Sequence, residues 1–245
     1  MKVTILGAGD AFASRGNCQA GYLIEAADKS ILLDAGPSLL PMLKRGGFDP
    51  AAIDLALISH LHGDHLAGLP FLILEYMWES KRRTTLTIAG PRRLEQRTWA
   101  LFENMFPRFP EERVTRKLKF VVLDPNETRI FKGVKVSTIR TPHTKPDISL
   151  AFRVVFGGKT VVFSGDTGWT EELVPFCAGA DLFICECTYF DSVALDFHLN
   201  YPLIEKHRSR FKVGRMILSH VGREVYEHRS EVGIELASDG MQIEI

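Results

Sequence analysis

Five times along this 245-residue chain, a short apolar run leads to an aspartate or a histidine. Ile31-Leu32-Leu33 ends at Asp34, and Ile53-Asp54-Leu55-Ala56-Leu57-Ile58 runs through Ser59 to His60. Val134-Lys135-Val136-Ser137-Thr138-Ile139 precedes His143, Thr160-Val161-Val162-Phe163 precedes Asp166, and Arg215-Met216-Ile217-Leu218-Ser219 precedes His220. Apolar runs of this length, rich in β-branched residues, predict buried strands. A chain that repeatedly delivers ligand-type side chains to strand ends is constrained to a scaffold on which those ends converge, because loops held by rigid strands carry the chemistry.

The densest of these ends is His60-Leu61-His62-Gly63-Asp64-His65. Imidazole nitrogens and carboxylates are the ligands of borderline divalent cations such as Zn²⁺. Three histidines and an aspartate packed into one turn would leave unpaired polar groups in an ordinary core. Gly63 allows the backbone to turn tightly enough for the neighbouring side chains to converge. A histidine-rich surface turn is the plain alternative; it suits a lone histidine far better than a cluster.

Local patterns place further elements. Ala20 to Ala26 and Ser30 to Asp34 predict strands joined at Asp28-Lys29, and Gly157-Gly158 predicts a hairpin turn. A helix is expected from Pro37-Ser38 through Arg45, stopped by Gly46-Gly47. Helical spacing recurs over Glu95 to Met105 and over Leu203 to Phe211. Strand–strand–helix units with ligands at strand ends predict a β-sandwich covered by helices, within one domain spanning 1–245. Apolar content of 45% and charged content of 24% suit a globular chain. A formal net charge of +0 gives no general attraction to nucleic acid or to an acidic membrane. The longest apolar stretch, near Leu69 to Leu74, is far too short to span a bilayer. Lys2-Val3-Thr4-Ile5-Leu6-Gly7 reads as a strand and not as a signal peptide, so a cytoplasmic location is expected. Cys18, Cys177, Cys185 and Cys187 are expected to be free, with Cys185 and Cys187 sharing a core-facing side of one strand with Phe183 and Glu186 pointing the other way.

The ordered set Asp34, His60/His62/Asp64/His65, His143, Asp166 and His220 resembles the metallo-β-lactamase superfamily over nearly the whole chain. That resemblance implies an α/β (α+β) four-layer αββα sandwich and two divalent cations, Zn²⁺ or Mn²⁺. By it, His60, His62 and His143 hold one ion, Asp64, His65 and His220 the other, and Asp166 bridges them. Asp34 would orient the ligand loop from behind, as metal ligands commonly require. True β-lactamases carry Cys where Asp166 stands, which argues against lactam hydrolysis.

Within the superfamily the chain looks most like the ribonuclease Z and phosphodiesterase branch. Leu6-Gly7-Ala8-Gly9-Asp10-Ala11 is similar to that branch's glycine loop, and Cys185-Glu186-Cys187-Thr188-Tyr189 resembles its His-Glu-Ala-Thr-Phe motif. His198-Leu199-Asn200 stands at the place of its His-Ser-Thr motif, although the residues after His198 depart from Ser-Thr. The resemblance makes Asp64, Glu186 and His198 the catalytic set, with His198 paired to Glu186 and acting on the leaving group. It also implies hydrolysis of a small or cyclic phosphodiester, or of a nucleic-acid 3′ end, by water activated between two metals. Ribonuclease Z carries a long Gly/Pro-rich arm between the ligands matching His143 and Asp166, where Thr144 to Gly165 leaves room only for a hairpin. A small-molecule or nucleotide diester is therefore expected in preference to transfer RNA, and no membrane partner is expected. A thioesterase, lactonase or glyoxalase II-type hydrolase would keep the same ligands, and a non-catalytic metal-binding module is the third reading.

Three features carry weaker expectations. The segment 81–119 holds Lys81, Arg82, Arg83, Arg92, Arg93, Arg97, Arg108, Arg113, Arg116, Lys117 and Lys119 against Glu95, Glu103, Glu111 and Glu112. It reads either as a solvated face or as a surface that steers a phosphate-bearing substrate. The interleaved aromatics Phe71, Tyr76, Trp78, Trp99, Phe102, Phe106 and Phe109 would form core, a pocket wall or a homodimer face. His207 and His228 read as surface residues. Gly7-Ala8-Gly9 lacks the third glycine of a dinucleotide fingerprint, position 12 being Phe12, and reads as a tight turn near the metal cleft.

Overall fold

The computed structural model describes every residue except 81, 83, 109–111 and 192–195, and the side chains of Glu112 and Arg113. The first part of the chain supplies β1 (Lys2–Gly7), β2 (Gly21–Ala26), β3 (Lys29–Leu33), β4 (Leu55–Leu57), β5 (Leu86–Gly90) and β6 (Leu118–Val122). The second supplies β7 (Thr128–Phe131), β8 (Val134–Thr141), β9 (Ser149–Phe156), β10 (Lys159–Phe163), β11 (Leu182–Glu186), β12 (Arg215–Ser219) and β13 (Glu235–Leu236). The last strand, β14 (Gln242–Glu244), returns to the edge of the first sheet beside β1. Each sheet has seven strands, in the orders β14-β1-β2-β3-β4-β5-β6 and β13-β12-β11-β10-β9-β8-β7. Hairpins make β1–β2–β3 and β7–β8–β9–β10 antiparallel, whereas β3 to β6 and β10 to β13 run parallel. Parallel neighbours need crossovers, and helices supply most of them.

Helices cover both outer faces. Over the first sheet lie α1 (Leu39–Arg45), α2 (Gly63–Leu66), α3 (Leu69–Trp78), α4 (Leu94–Met105) and α5 (Glu112–Thr115); over the second lie α6 (Leu173–Cys177), α7 (Tyr201–His207) and α8 (Arg223–Glu227). Strand alternation assigns the cores. On β2, Tyr22 and Ile24 face the space between the sheets, while Leu23 joins Leu39, Leu43, Leu69 and Phe102 under the first helical layer. On β11, Leu182 and Ile184 face inward, while Phe183 and Cys185 join Leu173, Cys177 and Ile204 under the second. The expected four-layer αββα sandwich is thus observed. Cys177, Cys185 and Cys187 are buried and unbridged, as is the less buried Cys18.

Boundaries shift where local chemistry overrides pattern. The β2–β3 turn is Ala27-Asp28, because Ala26 pairs with Lys29 and Ala27 takes φ 49°. α1 begins at Leu39, after Pro37, and α7 begins at Tyr201 because the Asn200 side chain accepts from the Leu203 amide at 3.0 Å. Asn200, one of the two residues that depart from the Ser-Thr pattern, is thus a helix N-cap. Gly157 and Gly158 both adopt positive φ, 57° and 75°, and close the tight β9–β10 hairpin. No helix among the described residues is long and apolar enough to cross a membrane.

The basic stretch is mostly engaged in holding the fold. Arg82 is buried, donates to the Ala51 and Ile53 carbonyls at 2.7 and 2.6 Å, and lies over the Tyr76 ring. Arg92 pairs with Asp124, and Arg93 with Asp147. Tyr76 and Phe102 are core residues, whereas Phe71 and Trp78 remain partly exposed. Lys81, Arg83, Phe109 and Glu111 lie outside the described residues, as do the side chains of Glu112 and Arg113. His207 and His228 lie at the surface, each partly covered. They stack on Trp169 and Phe190, with ring centroids 4.0 and 4.2 Å apart.

Candidate metal centre and active site

In a parallel sheet the carboxyl ends of the strands open onto one edge, where ligands bind. β3, β4, β10, β11 and β12 all end at that edge, and β8, antiparallel to β9, points the same way as β10. Asp34, the His60–His65 turn, His143, Asp166, Glu186 and His220 consequently meet in one cleft. Asp34 and His220 sit at positive φ, 55° and 53°, immediately after β3 and β12. Asp and His occupy this left-handed region more readily than most non-glycine residues, and such backbone positions concentrate at functional sites.

Four overlapping sets of donor atoms form among the described residues: His198 joins His143 and Asp166 in one and Glu186 and His220 in another, and the remaining two are made by the sequence-predicted ligands. Of these two, the first is His60, His62 and His143 and the second is Asp64, His65, Asp166 and His220, with the ligand atoms of each set within 4.8 Å of one another. Asp166 also reaches the first set, its Oδ2 lying 3.7 Å from His60 Nε2 and 3.6 Å from His143 Nε2.

Hydrogen bonds behind the ligands decide which nitrogen of each ring faces the centre. His65 Nδ1 donates to Asp34 Oδ2 at 2.7 Å, which leaves Nε2 for the centre. Ser59 donates its amide and its hydroxyl to Asp34, at 2.6 and 2.7 Å, so the hydroxyl oxygen accepts from His60 Nδ1 at 3.0 Å. His143 Nδ1 donates to the Phe197 carbonyl at 3.0 Å. That leaves His143 Nε2 facing His62 Nδ1 at 3.1 Å, two nitrogens aimed at the same space.

Buried polar atoms without a hydrogen bond are rare in folded proteins. His60 Nε2, His65 Nε2 and Asp166 Oδ1 are three of them, and all point into this cleft. A divalent cation coordinated by imidazole and carboxylate would satisfy these atoms, so the donor set fits such an ion.

The electrostatics differ between the halves. Burial, reinforced by His65, holds His60 well below the usual histidine pKa, and burial also lowers His62 and His143. These are neutral imidazoles, ready to donate a lone pair. Burial also pulls His220 down, but the Asp166 and Asp64 carboxylates outweigh it and raise its pKa to about 9. His65 is likewise pushed well above its ordinary value by Asp166, Asp34 and Asp64 against burial. Burial pushes the Asp64 and Asp166 carboxyls up, yet the surrounding imidazoles hold both below the ordinary carboxylate range. This half of the site demands positive charge, which protons or a divalent cation can meet.

Beside the ligands lies the pair Glu186 and His198. Glu186 ends β11 on the parity of Leu182 and Ile184, so it faces the cleft while Cys185 faces the helices. Its Oε1 accepts from His198 Nδ1 at 2.8 Å and from the Thr167 amide at 2.6 Å. Burial lowers the His198 pKa, but the Glu186 carboxylate outweighs it and holds the imidazole above its ordinary value. The His198 ring lies 4.7 Å from that of His143.

Two residues at this site carry roles that sequence reading passed over. Thr188 donates its hydroxyl to Glu186 Oε2 at 2.8 Å and lies 3.2 and 3.1 Å from Nδ1 of His198 and His220. Its only sequence signal was its place in the Glu186 motif. Ser59 couples His60 to Asp34, signalled only by standing between the strand and the first histidine.

Comparison with known proteins bears on the family and the fold. Residues 1–238 match the sequence profile of the family described as "Anti-Pycsar protein Apyc1". The chain is 26% identical over 228 residues to the probable metallo-hydrolase YhfI of Bacillus subtilis (strain 168), covering 90% of this chain and 87% of that one. It is 28% identical over 236 residues to a ribonuclease Z of Ignicoccus hospitalis, covering 80% and 78% respectively. The crystal structure of YhfI, a metallo-β-lactamase fold protein, superposes with a TM-score of 0.80 at 24% identity over 99% of both chains. The sandwich is therefore the metallo-β-lactamase fold that the strand-end residues led us to expect.

Proposed function

The chain belongs to the family described as Anti-Pycsar protein Apyc1, and from that membership and the geometry of the cleft we propose that it is a metal-dependent hydrolase of small phosphodiesters. His60, His62, His143 and Asp166 would hold one divalent cation, and Asp64, His65, Asp166 and His220 a second. Bound there, such ions lower the pKa of water and neutralise phosphate charge. Zn²⁺ suits the nitrogen-rich set, and Mn²⁺ is tolerated by the same ligands.

The observation that carries the phosphodiester reading is the Glu186–His198 pair. An alkoxide leaving from phosphorus needs a proton, and a histidine fixed by a carboxylate is a suitable donor. Glu186 occupies Nδ1 and favours the protonated ring, so His198 can present an Nε2 proton to the leaving oxygen. Thr188 and the Thr167 amide hold Glu186 in place, so that the pair acts as one unit. The match to a ribonuclease Z, an enzyme of phosphodiester chemistry, supports the same reading. Metal-activated water at such ligands would serve thioesters or lactones as well, so the ligands alone do not choose among substrates.

The test is His198→Ala in metal-loaded protein. Turnover of an alkyl diester should fall roughly 10²–10⁴-fold with the metal content unchanged. The loss should shrink for p-nitrophenyl esters, whose leaving group departs without a proton. Glu186→Ala should lose less, and the double variant little more than His198→Ala. Equal losses on both leaving groups would remove the acid role from His198.

A further inference from the structure

Strands β3 to β6 run parallel, and the metal cleft lies at their carboxyl ends. At their amino ends, on the opposite side of the sandwich, a cavity of about 310 Å³ is bounded by both sheets. No candidate metal ligand lines it. Its wall on the second sheet is the β7–β8 hairpin, whose Lys132-Gly133 turn is held at φ 48° and 90°. Its wall on the first is a row in register across three strands: Leu55 pairs with Thr87, and Thr87 with Lys119.

That row belongs to the face between the sheets. Leu55 is part of the inter-sheet core, as is Val134 across the cavity, and Lys119 has the parity of Val121, which packs against the same core. Positions on the inner faces of a sandwich are ordinarily apolar. Here the row turns polar at Thr87 and cationic at Lys119, on the edge strand β6. Lys29, whose side chain is only 16% exposed, joins from the start of β3, and Lys132 from the hairpin turn.

Three segments far apart in sequence thus bring three lysines to one concavity, with Asp54 the one carboxylate among the described residues lining it. The whole chain balances 30 Lys and Arg against 30 Asp and Glu, so the excess is local. Lys29 is held by Asp28, and Asp54 accepts from the Ser30 amide at 3.2 Å. Lys119 and Lys132 form no ion pair among the described residues. Like charges gathered without a counter-ion repel, and an anion seated among them reverses the sign of that energy. The hydroxyls of Thr85 and Thr87 add uncharged donors at the same wall. Phosphate, with its several acceptor oxygens and up to two charges, meets ammonium groups and hydroxyls better than a carboxylate does. The volume stands at the small end of the roughly 300–1,000 Å³ of ligand pockets, so the ligand is a small molecule.

We propose that this cavity is a second, non-catalytic ligand site, which takes a small phosphate-bearing anion, inorganic phosphate or a phosphomonoester, on Lys29, Lys119 and Lys132. It goes beyond the hydrolase reading and does not depend on it. Amide NMR of the Zn²⁺-loaded protein, titrated with inorganic phosphate at constant ionic strength, tests it. Saturable shifts should appear at Thr85, Thr87, Lys119 and Gly133, apart from any at the metal cleft. The double variant Lys119→Gln/Lys132→Gln should weaken that binding about tenfold or more, as expected for loss of charge-assisted hydrogen bonds, and leave the cleft shifts unchanged. Lys119→Arg/Lys132→Arg should retain it, and acetate should bind there more weakly than phosphate. Tighter binding of glycerol 3-phosphate than of phosphate marks a monoester as the ligand; equal or weaker binding marks the free ion. No saturable shift at those amides, acetate as tight as phosphate, or unchanged binding in the glutamine variant would each overturn the proposal. So would altered sedimentation of the glutamine variant with phosphate binding intact, which would leave the lysines guarding the β6 edge against association.

Discussion

Asp34→Asn isolates the residue on which the ligand turn hangs. Asp34 is fully buried and accepts three hydrogen bonds, from the Ser59 amide and hydroxyl and from His65 Nδ1, at 2.6, 2.7 and 2.7 Å. Asparagine keeps the volume and tolerates the positive φ of this position, so neither packing nor backbone strain changes. Its amide has one acceptor oxygen and one NH₂ group, and the NH₂ must face a donor. If the oxygen keeps the Ser59 amide, the hydroxyl of Ser59 can rotate to accept, but His65 Nδ1–H loses its acceptor. A hydrogen bond to a charged group contributes about 1.5–3 kcal/mol. For a chain of this size about 2–4 °C follows each kcal/mol, so Tm should drop by roughly 3–12 °C. Freed from Asp34, His65 can rotate or change tautomer, and cation affinity should fall about 10- to 100-fold. The loss should be greater at the Asp64/His65/His220 set than at the His60/His62/His143 set, which feels Asp34 only through Ser59. Thermal unfolding, with cation titration against a chromogenic chelator, reads both quantities. A variant that keeps the parent's Tm and both affinities would refute the idea that Asp34 orients His65.

Two further outcomes follow from the same geometry. His60→Ala and His220→Ala should each lose cation from one set while keeping the other, as read by metal analysis of the purified variants; two ions retained per chain in both would break the assignment. Precursor transfer RNA should be a poor substrate beside a small diester, because the β9–β10 hairpin that joins the His143 and Asp166 ends turns through Gly157-Gly158 with no room for an arm. Site-specific removal of a transfer RNA trailer at rates matching the small diester would contradict that.

The site was legible in the chain because its parts are local. Each candidate ligand is announced by the apolar strand that carries it, and period-two alternation on β11 sets Glu186 opposite Cys185. What was not legible depends on contacts between distant segments. Thr188 matters because β11, β12 and the His198 segment converge on its hydroxyl, and its place in the Glu186 motif does not say which side chains meet there. The order of strands in the two sheets is equally non-local. Arg82 looked like part of a basic face because its neighbours are cationic. It is buried because two carbonyls near residue 52 needed donors and Tyr76 offered a ring. The stacking of the surface residues His207 and His228 was not legible because their partners, Trp169 and Phe190, lie 38 residues away in each case.

The most direct test of the central claim is substrate choice by the protein loaded with two equivalents of Zn²⁺ or Mn²⁺. Initial rates would be compared on bis-p-nitrophenyl phosphate, a cyclic nucleotide, a thioester and a lactone. The account predicts that kcat/KM is highest for a phosphodiester, and that the preference depends on His198. Faster hydrolysis of the thioester or lactone, or no turnover of any of the four at full metal occupancy, would contradict it.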